Sequence, residues 1–336
     1  MLIIGSIIGA GFSSGQEILT FFTGSGKLSY LIIILSTIFL YISLKELIKF
    51  GRITKSKTIK EINKTLFKNV TFFNVFIYLS LFVFIIAMIA GLNSIGGLIF
   101  KNINFPILTI VSLFFALFIC ELGYNAIKKV NNFLMPVVIL LIIFVTLFNI
   151  FANFKNFQTI NITFINFFEY LLLGFCYISY NIVFSSSLVV ENSINFCNKK
   201  TKINALVISI ILGGLILLIN IALIKTTNYN NALPMLSLAF NINNVVGYLF
   251  SFILWFSVLT SLISCLYMLI NNFKINKIIS SSIILTLGYM LSFFGFNNII
   301  NFIYPIQGII GLIFLFKIFA YNKKQGFKSK NTLQKL

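Results

Sequence analysis

Aspartate and histidine are absent from this chain, arginine occurs once (Arg52), and the six acidic residues among 336 are all glutamate. General acid–base pairs, metal clusters and Ser-His-Asp arrangements draw on the missing side chains. A membrane-embedded transferase or hydrolase would have little chemistry to work with, and no enzyme is expected. Charge of either sign is scarce: 9% of residues are charged against 59% hydrophobic, and no soluble domain could cover its core from so small a polar supply. Lipid must be the solvent for most side chains. The four cysteines, Cys120, Cys176, Cys197 and Cys265, have no CxxC spacing and three fall inside apolar runs, which supports neither a zinc site nor a disulfide framework. The N-terminus has neither a charged n-region nor a small-residue cleavage site, so its first apolar run is expected to stay on the protein.

What is present is apolar sequence in long runs. A membrane span needs about 20 apolar residues. Such runs fall near residues 2–22, 28–48, 72–99, 105–122 and 132–152, then near 165–190, 203–224, 245–270, 278–295 and 299–320. These predict an all-α integral membrane protein with about ten transmembrane helices. The formal charge of +19 does not form an aromatic-interleaved basic face, so nucleic acid is not the expected partner; the lipid bilayer is. With the N-terminus inside, the inside segments hold 21 of the 25 Lys and Arg residues, and only Lys27, Lys101, Lys155 and Lys225 lie outside. That asymmetry predicts a cytoplasmic membrane with both ends cytoplasmic, and an odd number of spans would destroy it. The expected organisation is one transmembrane domain over 1–320, with halves at about 1–152 and 165–320, and a basic cytoplasmic tail at 321–336 expected to be disordered. Two segments do not span: the basic stretch Lys49 to Lys68, expected as an amphipathic helix on anionic lipid, and the external stretch Lys225 to Asn244, expected to hold a short capping or re-entrant helix.

Gly5-Ser-Ile-Ile-Gly-Ala-Gly-Phe-Ser-Ser-Gly-Gln-Glu17 puts four glycines, three serines, a Gln and a Glu inside the first span. Glycine lets a helix unwind, and unwound backbone at membrane depth survives only where it lines a cavity or a binding site. Close packing through Gly5/Gly9 and Gly11/Gly15 is the plainer reading of the glycines, but it gives no reason for Gln16 and Glu17. An intramembrane carboxylate is a functional candidate by default. Span six carries a second polar interruption, Gly174-Phe-Cys-Tyr-Ile-Ser-Tyr-Asn181 followed by Ser185, Ser186 and Ser187. Five helices separate the two interruptions, which suits halves inserted in opposite orientations with discontinuous helices meeting near the midplane. In span eight, Ser257, Thr260, Ser261 and Ser264 recur on one face, although such hydroxyls can also bond to carbonyls one turn back on their own helix.

Gly9-Ala-Gly-Phe-Ser-Ser-Gly-Gln-Glu17 resembles the opening of the YkvI-type bacterial membrane proteins of the amino acid–polyamine–organocation superfamily, and a weaker likeness extends through Tyr177-Ile-Ser-Tyr-Asn181. The resemblance implies the LeuT-like fold, a 5+5 inverted repeat with helices 1 and 6 broken. It also implies a stretch of cytoplasmic helix ahead of Gly5. In sodium-coupled members a G-x-x-x-G-x-G stretch and a Thr-Ser pair hold the ion. Here this would make Gly5, Ile8 and Ser257 carbonyl ligands, with Thr260 and Ser261 as hydroxyl ligands. Oxygen-only ligation suits a hard cation. Other members run on protons, so Na+ and H+ both stand as coupling ions, and no other cofactor is implied.

The expected function is secondary transport of a small solute. The half-helix after the break would point its N-terminal dipole at a carboxylate, bound by the backbone of Ala10, Gly11 and Phe12 with Ser13 beside them. Tyr177, Ser179 and Asn181 would form the facing wall, and Glu17 would hold a substrate ammonium, a proton or an outer gate. With no arginine in a span, a small zwitterion such as an amino acid fits better than a polyanion. A non-transporting receptor on the same scaffold is the alternative.

Overall fold

The computed structural model describes residues 2–99, 106–152, 164–194, 196–224, 233–271 and 276–333, and among these every regular element is helical. The first apolar run is three short helices, α1 (Leu2–Ile7), α2 (Ala10–Ser14) and α3 (Gln16–Phe21). A tight turn at Thr23–Leu28 leads into α4 (Ser29–Thr54), and then come α5 (Ile59–Leu66), α6 (Val70–Ile99), α7 (Ile107–Glu121) and α8 (Tyr124–Ala152). The second part holds α9 (Phe164–Ser193), α10 (Asn198–Ile224), α11 (Pro234–Ile242), α12 (Asn244–Ile270) and α13 (Lys277–Leu291). Finally α14 (Phe296–Asn298) runs through a π-helical turn into α15 (Tyr304–Leu333).

Among the described residues, eight helical segments are long and apolar enough to cross a membrane, which is the architecture of an all-α, multi-pass membrane protein. The broken α1–α3 run is not among them, and α7, about 22 Å long at 1.5 Å per residue, falls short of a full hydrocarbon layer. The outward faces are apolar and bare, as at Phe114, Phe133, Leu140 and Phe316. Water-exposed surfaces rarely carry such contiguous apolar area.

Three expectations are corrected. Span six is not interrupted: α9 is continuous over Phe164–Ser193. Its polar side chains close onto their own helix, with Ser179 Oγ donating to Phe175 O, Asn181 Nδ2 to Tyr177 O and Ser185 Oγ to Asn181 O, at 2.7–2.9 Å. Polar groups satisfied in this way do not require a break. The chain from Tyr321 is not irregular either, since α15 continues to Leu333. Its entry into this stretch is docked, Tyr321 on Phe50 edge to face and Asn322 Nδ2 on the Glu46 carbonyl and carboxylate. The basic stretch divides: residues 49–54 end α4, and the amphipathic helix is only α5. There Thr58 Oγ1 accepts from the Glu61 N–H, Glu61 Oε2 accepts from the Lys57 N–H in the manner of a capping box, and Ile59 and Ile62 are buried. Residues 225–232 of the external stretch lie outside the described residues, as do Lys101, Lys155, Lys225, Lys274 and Lys335. The remainder of that stretch forms α11, with Met235, Leu236 and Ala239 buried.

α12 is the centre of the bundle, packing against α1, α2, α6, α7, α8 and α11. α9 packs on α1, α4 and α15, so the broken run lies between α9 on one side and α12 with α6 on the other. Every side chain from Ile3 to Ile18 is buried. The α9–α15 contact is a backbone approach. A Cβ on Gly311 would stand 2.6–2.7 Å from the Ser179 backbone, and one on Gly308 would stand 2.7–2.8 Å from that of Cys176. Small residues give membrane helices this proximity. Gly311→Leu should therefore push α15 off α9 and destabilise the protein by about 1–3 kcal/mol, the usual range for overpacking. Thermal unfolding in detergent checks this, and Ala should be milder than Leu.

Candidate functional site

The break lies between Ile7 and Ala10. Gly9 is extended (φ −106, ψ −163), and its N–H turns to Ile7 O at 3.0 Å. In an unbroken helix that N–H would serve the Gly5 carbonyl. Gly15 then takes a left-handed φ of 80 between α2 and α3, a conformation glycine adopts without a Cβ penalty, and a side chain there would meet Met235 of α11.

The carbonyls released from α1 are met by α12. Ser261 Oγ lies 3.2 Å from Gly5 O and 3.0 Å from Ile8 O. Ser257 Oγ lies 3.0 Å from Ile8 O and 3.5 Å from Gly9 O, and it also pairs with Ser13 Oγ. One turn on, Thr260 Oγ1 donates to Ser257 O at 2.9 Å and Ser264 Oγ to Thr260 O at 2.7 Å. Thr260 and Ser264 thus bond along their own helix, while Ser257 and Ser261 reach across to α1. The Gly9 carbonyl also accepts from the Ser13 N–H at 2.9 Å, so the Gly5 and Ile8 carbonyls are the released ones, and the Ser13, Ser257 and Ser261 hydroxyls bring one proton each to this point. The groups converging on this fully buried point are all oxygen, a donor set that suits a hard cation. Of the five residues named from the sequence for this site, Gly5, Ile8, Ser257 and Ser261 meet across α1 and α12, with Ser257 reaching α1 by its hydroxyl, while the Thr260 hydroxyl and the Ser257 carbonyl bond to each other along α12.

On the other side of α2 lies Glu17. The side chain folds back over α2 so that a Cβ on Gly11 would collide with its carboxyl. It is buried, and its Oε2 has no hydrogen-bond partner. The Tyr177 and Tyr180 hydroxyls of α9 face this carboxyl, with Tyr304 of α15 nearby, and none of the three hydroxyls has a settled hydrogen-bond partner. The rings form a continuous wall. Phe21–Tyr177, Phe22–Tyr177, Tyr177–Tyr180 and Tyr180–Tyr304 centroids are 5.5, 5.2, 5.5 and 4.9 Å apart. A carboxylate with phenol oxygens and aromatic faces around it matches an ammonium group, through hydrogen bonds and cation–π attraction.

The remaining residues named from the sequence divide. The Ala10 N–H donates to the Met88 sulfur at 3.5 Å, a weak acceptor. Gly11 and Phe12 are buried in α2, and Ser13 belongs to the Ser257 side. Asn181 bonds back to Tyr177 O. Ser179 is not brought to the break: its backbone lies against Gly311 of α15. The sequence pattern passed over Tyr180 and Tyr304. The first was legible as the i+3 neighbour of Tyr177 on one helical face; the second, distant in sequence, carries no local signal. Among the described residues no three His, Cys, Asp or Glu side chains cluster as metal ligands. Compared with known proteins, the chain matches no family model and no curated protein.

Gly11→Ala should displace the Glu17 carboxyl and lower stability. The effect should be non-additive with Glu17→Ala, because the double variant removes the collision. A double-mutant cycle on thermal unfolding should give an interaction energy of at least about 1 kcal/mol.

Proposed function

We propose that this protein is a secondary active transporter of a small ammonium-bearing solute, best a zwitterion such as an amino acid, which moves by alternating access with Na+ or H+. The observation that carries the reading is the pair of polar sites flanking one five-residue helix in the core of a membrane bundle. On one side of α2, released carbonyls and α12 hydroxyls form an oxygen cluster; on the other, Glu17 meets an aromatic wall. Isolated polar groups at membrane depth are expensive and mark solute or ion paths.

The packing supports a 5+5 inverted repeat of ten spans, α1–α3 and α7 included. Exchanging α1–α3 with α9, α4 with α10, α5 with α11, α6 with α12, α7 with α13 and α8 with α15 carries contacts into contacts. Thus α9·α15 becomes α1·α8, α7·α12 becomes α13·α6, and α8·α10 becomes α15·α4. Even the short helices obey it, since the contacts of α5 with α6, α9 and α15 become those of α11 with α12, α2 and α8. Together with the stretch Gly9 to Glu17, this favours a LeuT-like member of the amino acid–polyamine–organocation superfamily, both ends cytoplasmic.

Gly5, Ile8 and Ser257 would hold the ion by carbonyls, and Thr260 and Ser261 by hydroxyls. The solute ammonium would take Glu17 and the tyrosine oxygens. Its carboxylate would take the Ala10 N–H in place of the weak Met88 acceptor. Coupling follows from position: Ser13 ties α2 to Ser257, while Gly11 of the same helix lies under the Glu17 carboxyl, so α2 cannot move for one site without moving for the other.

In proteoliposomes, uptake across an amino-acid panel should depend on sodium. Thr260→Ala and Ser261→Ala should each weaken sodium at least about tenfold, since a hydrogen-bonding group lost to a charge is worth about 1.5–3 kcal/mol. Uptake that ignores sodium and follows an imposed pH gradient would move coupling from the oxygen cluster to Glu17. Ligand binding without uptake would make the protein a receptor.

A further inference from the structure

Asn131 lies on α8, a helix that contributes nothing to either half-site above, and its side chain is fully buried. Its orientation is fixed by its own bonds. Nδ2 donates to Ile127 O at 3.1 Å and to Ser264 Oγ at 3.4 Å. Turning the amide over would set Oδ1 against the Ile127 carbonyl, two acceptors with no proton between them. Oδ1 therefore points the other way, onto the Gly5 backbone, where any Cβ would collide with it. No donor reaches that oxygen. A buried acceptor left unpaired costs about 1–3 kcal/mol, so a protein selected for stability alone would place an apolar side chain here.

The surroundings point to a ligand. On one side, Asn131 abuts Gly5, whose carbonyl faces Ser261 Oγ. On the other, its amide reaches Ser264, whose hydroxyl donates to the Thr260 carbonyl. Gly5 belongs to the oxygen cluster between α1 and α12, and Ser264 lies one helical turn from Ser261 on the same face of α12. In the opposite direction along α8, within one turn, Lys128 and Lys129 are exposed, which marks where that helix leaves the apolar layer. Asn131 thus occupies the ground between the oxygen cluster and the aqueous boundary at the N-terminal end of α1.

We infer that Asn131 Oδ1 is a further oxygen for the coupling cation, engaged at the α1 end of the site, and that it sets how the ion exchanges with water there. The glycine at position 5 is then required for two reasons: its carbonyl belongs to the cluster, and the lack of a side chain lets the amide oxygen approach.

This inference rests on the cation-site reading of the Gly5–Ser261 cluster, and one sodium titration separates the two. The full chain is purified in detergent, and thermal unfolding is followed as sodium replaces choline at constant ionic strength. Asn131→Leu should keep its ion-free melting temperature and bind sodium on the order of tenfold more weakly, as for outer ligands of metal sites generally. Asn131→Ala is a second oxygen-free variant with the same expectation. Asn131→Asp, which retains an oxygen, should bind at least as well as wild type. Wild-type affinity in both oxygen-free variants, or Asn131→Asp binding as weakly as they do, would overturn the role of Asn131 and leave the cluster intact. A wild-type protein indifferent to sodium would overturn both.

Discussion

Backbone carbonyls that leave a helix in an apolar medium must find partners, and here they find them on α12. Gly5 and Ile8 lose their helical donors where the chain extends at Gly9. In water that loss would be made good by solvent. Within a bundle whose outer faces are apolar, each unserved carbonyl costs several kcal/mol. Ser257 and Ser261 therefore have to stand opposite the break, which fixes α12 against α1 and α2. The position of α12 in turn organises α6, α7, α8 and α11 around it.

Two released carbonyls and three serine hydroxyls meet at one buried point, and Asn131 Oδ1, which has no donor, stands beside them on α8. On the far side of α2, Glu17 Oε2 and three phenol hydroxyls have no hydrogen-bond partner. Networks of this kind are unfavourable as stability devices, and their persistence on both faces of one short helix is what gives the transport reading its weight. Gly15 in its left-handed turn and Gly9 at the break bound that helix on either side.

The break was legible because glycine density and an intramembrane Glu are local signals, and the α12 hydroxyls because they recur on one helical face. The expected break in span six failed for a physical reason: Ser, Asn and Gly174 also occur in α9, but Ser and Asn side chains can satisfy themselves against carbonyls one turn back, and periodicity cannot tell that case from a cavity lining. Tyr304 and Asn131 were invisible for another. Each is one polar residue in an apolar run, brought to the site by helices far apart in sequence, and only the three-dimensional arrangement shows that their oxygens lack partners. The course of α15 beyond Tyr321 likewise depends on a docking contact with α4 that the basic tail sequence does not announce.

Hydrogen exchange of the purified protein, followed by mass spectrometry with sodium against choline at equal ionic strength, tests the central claim most directly. If the break is held together around a cation, sodium should slow exchange in the peptides covering α1–α3 and residues 255–264, and should leave α4, α10 and the lipid-facing α7 and α13 unchanged. Protection spread evenly over the chain, or none at the break, would contradict the account.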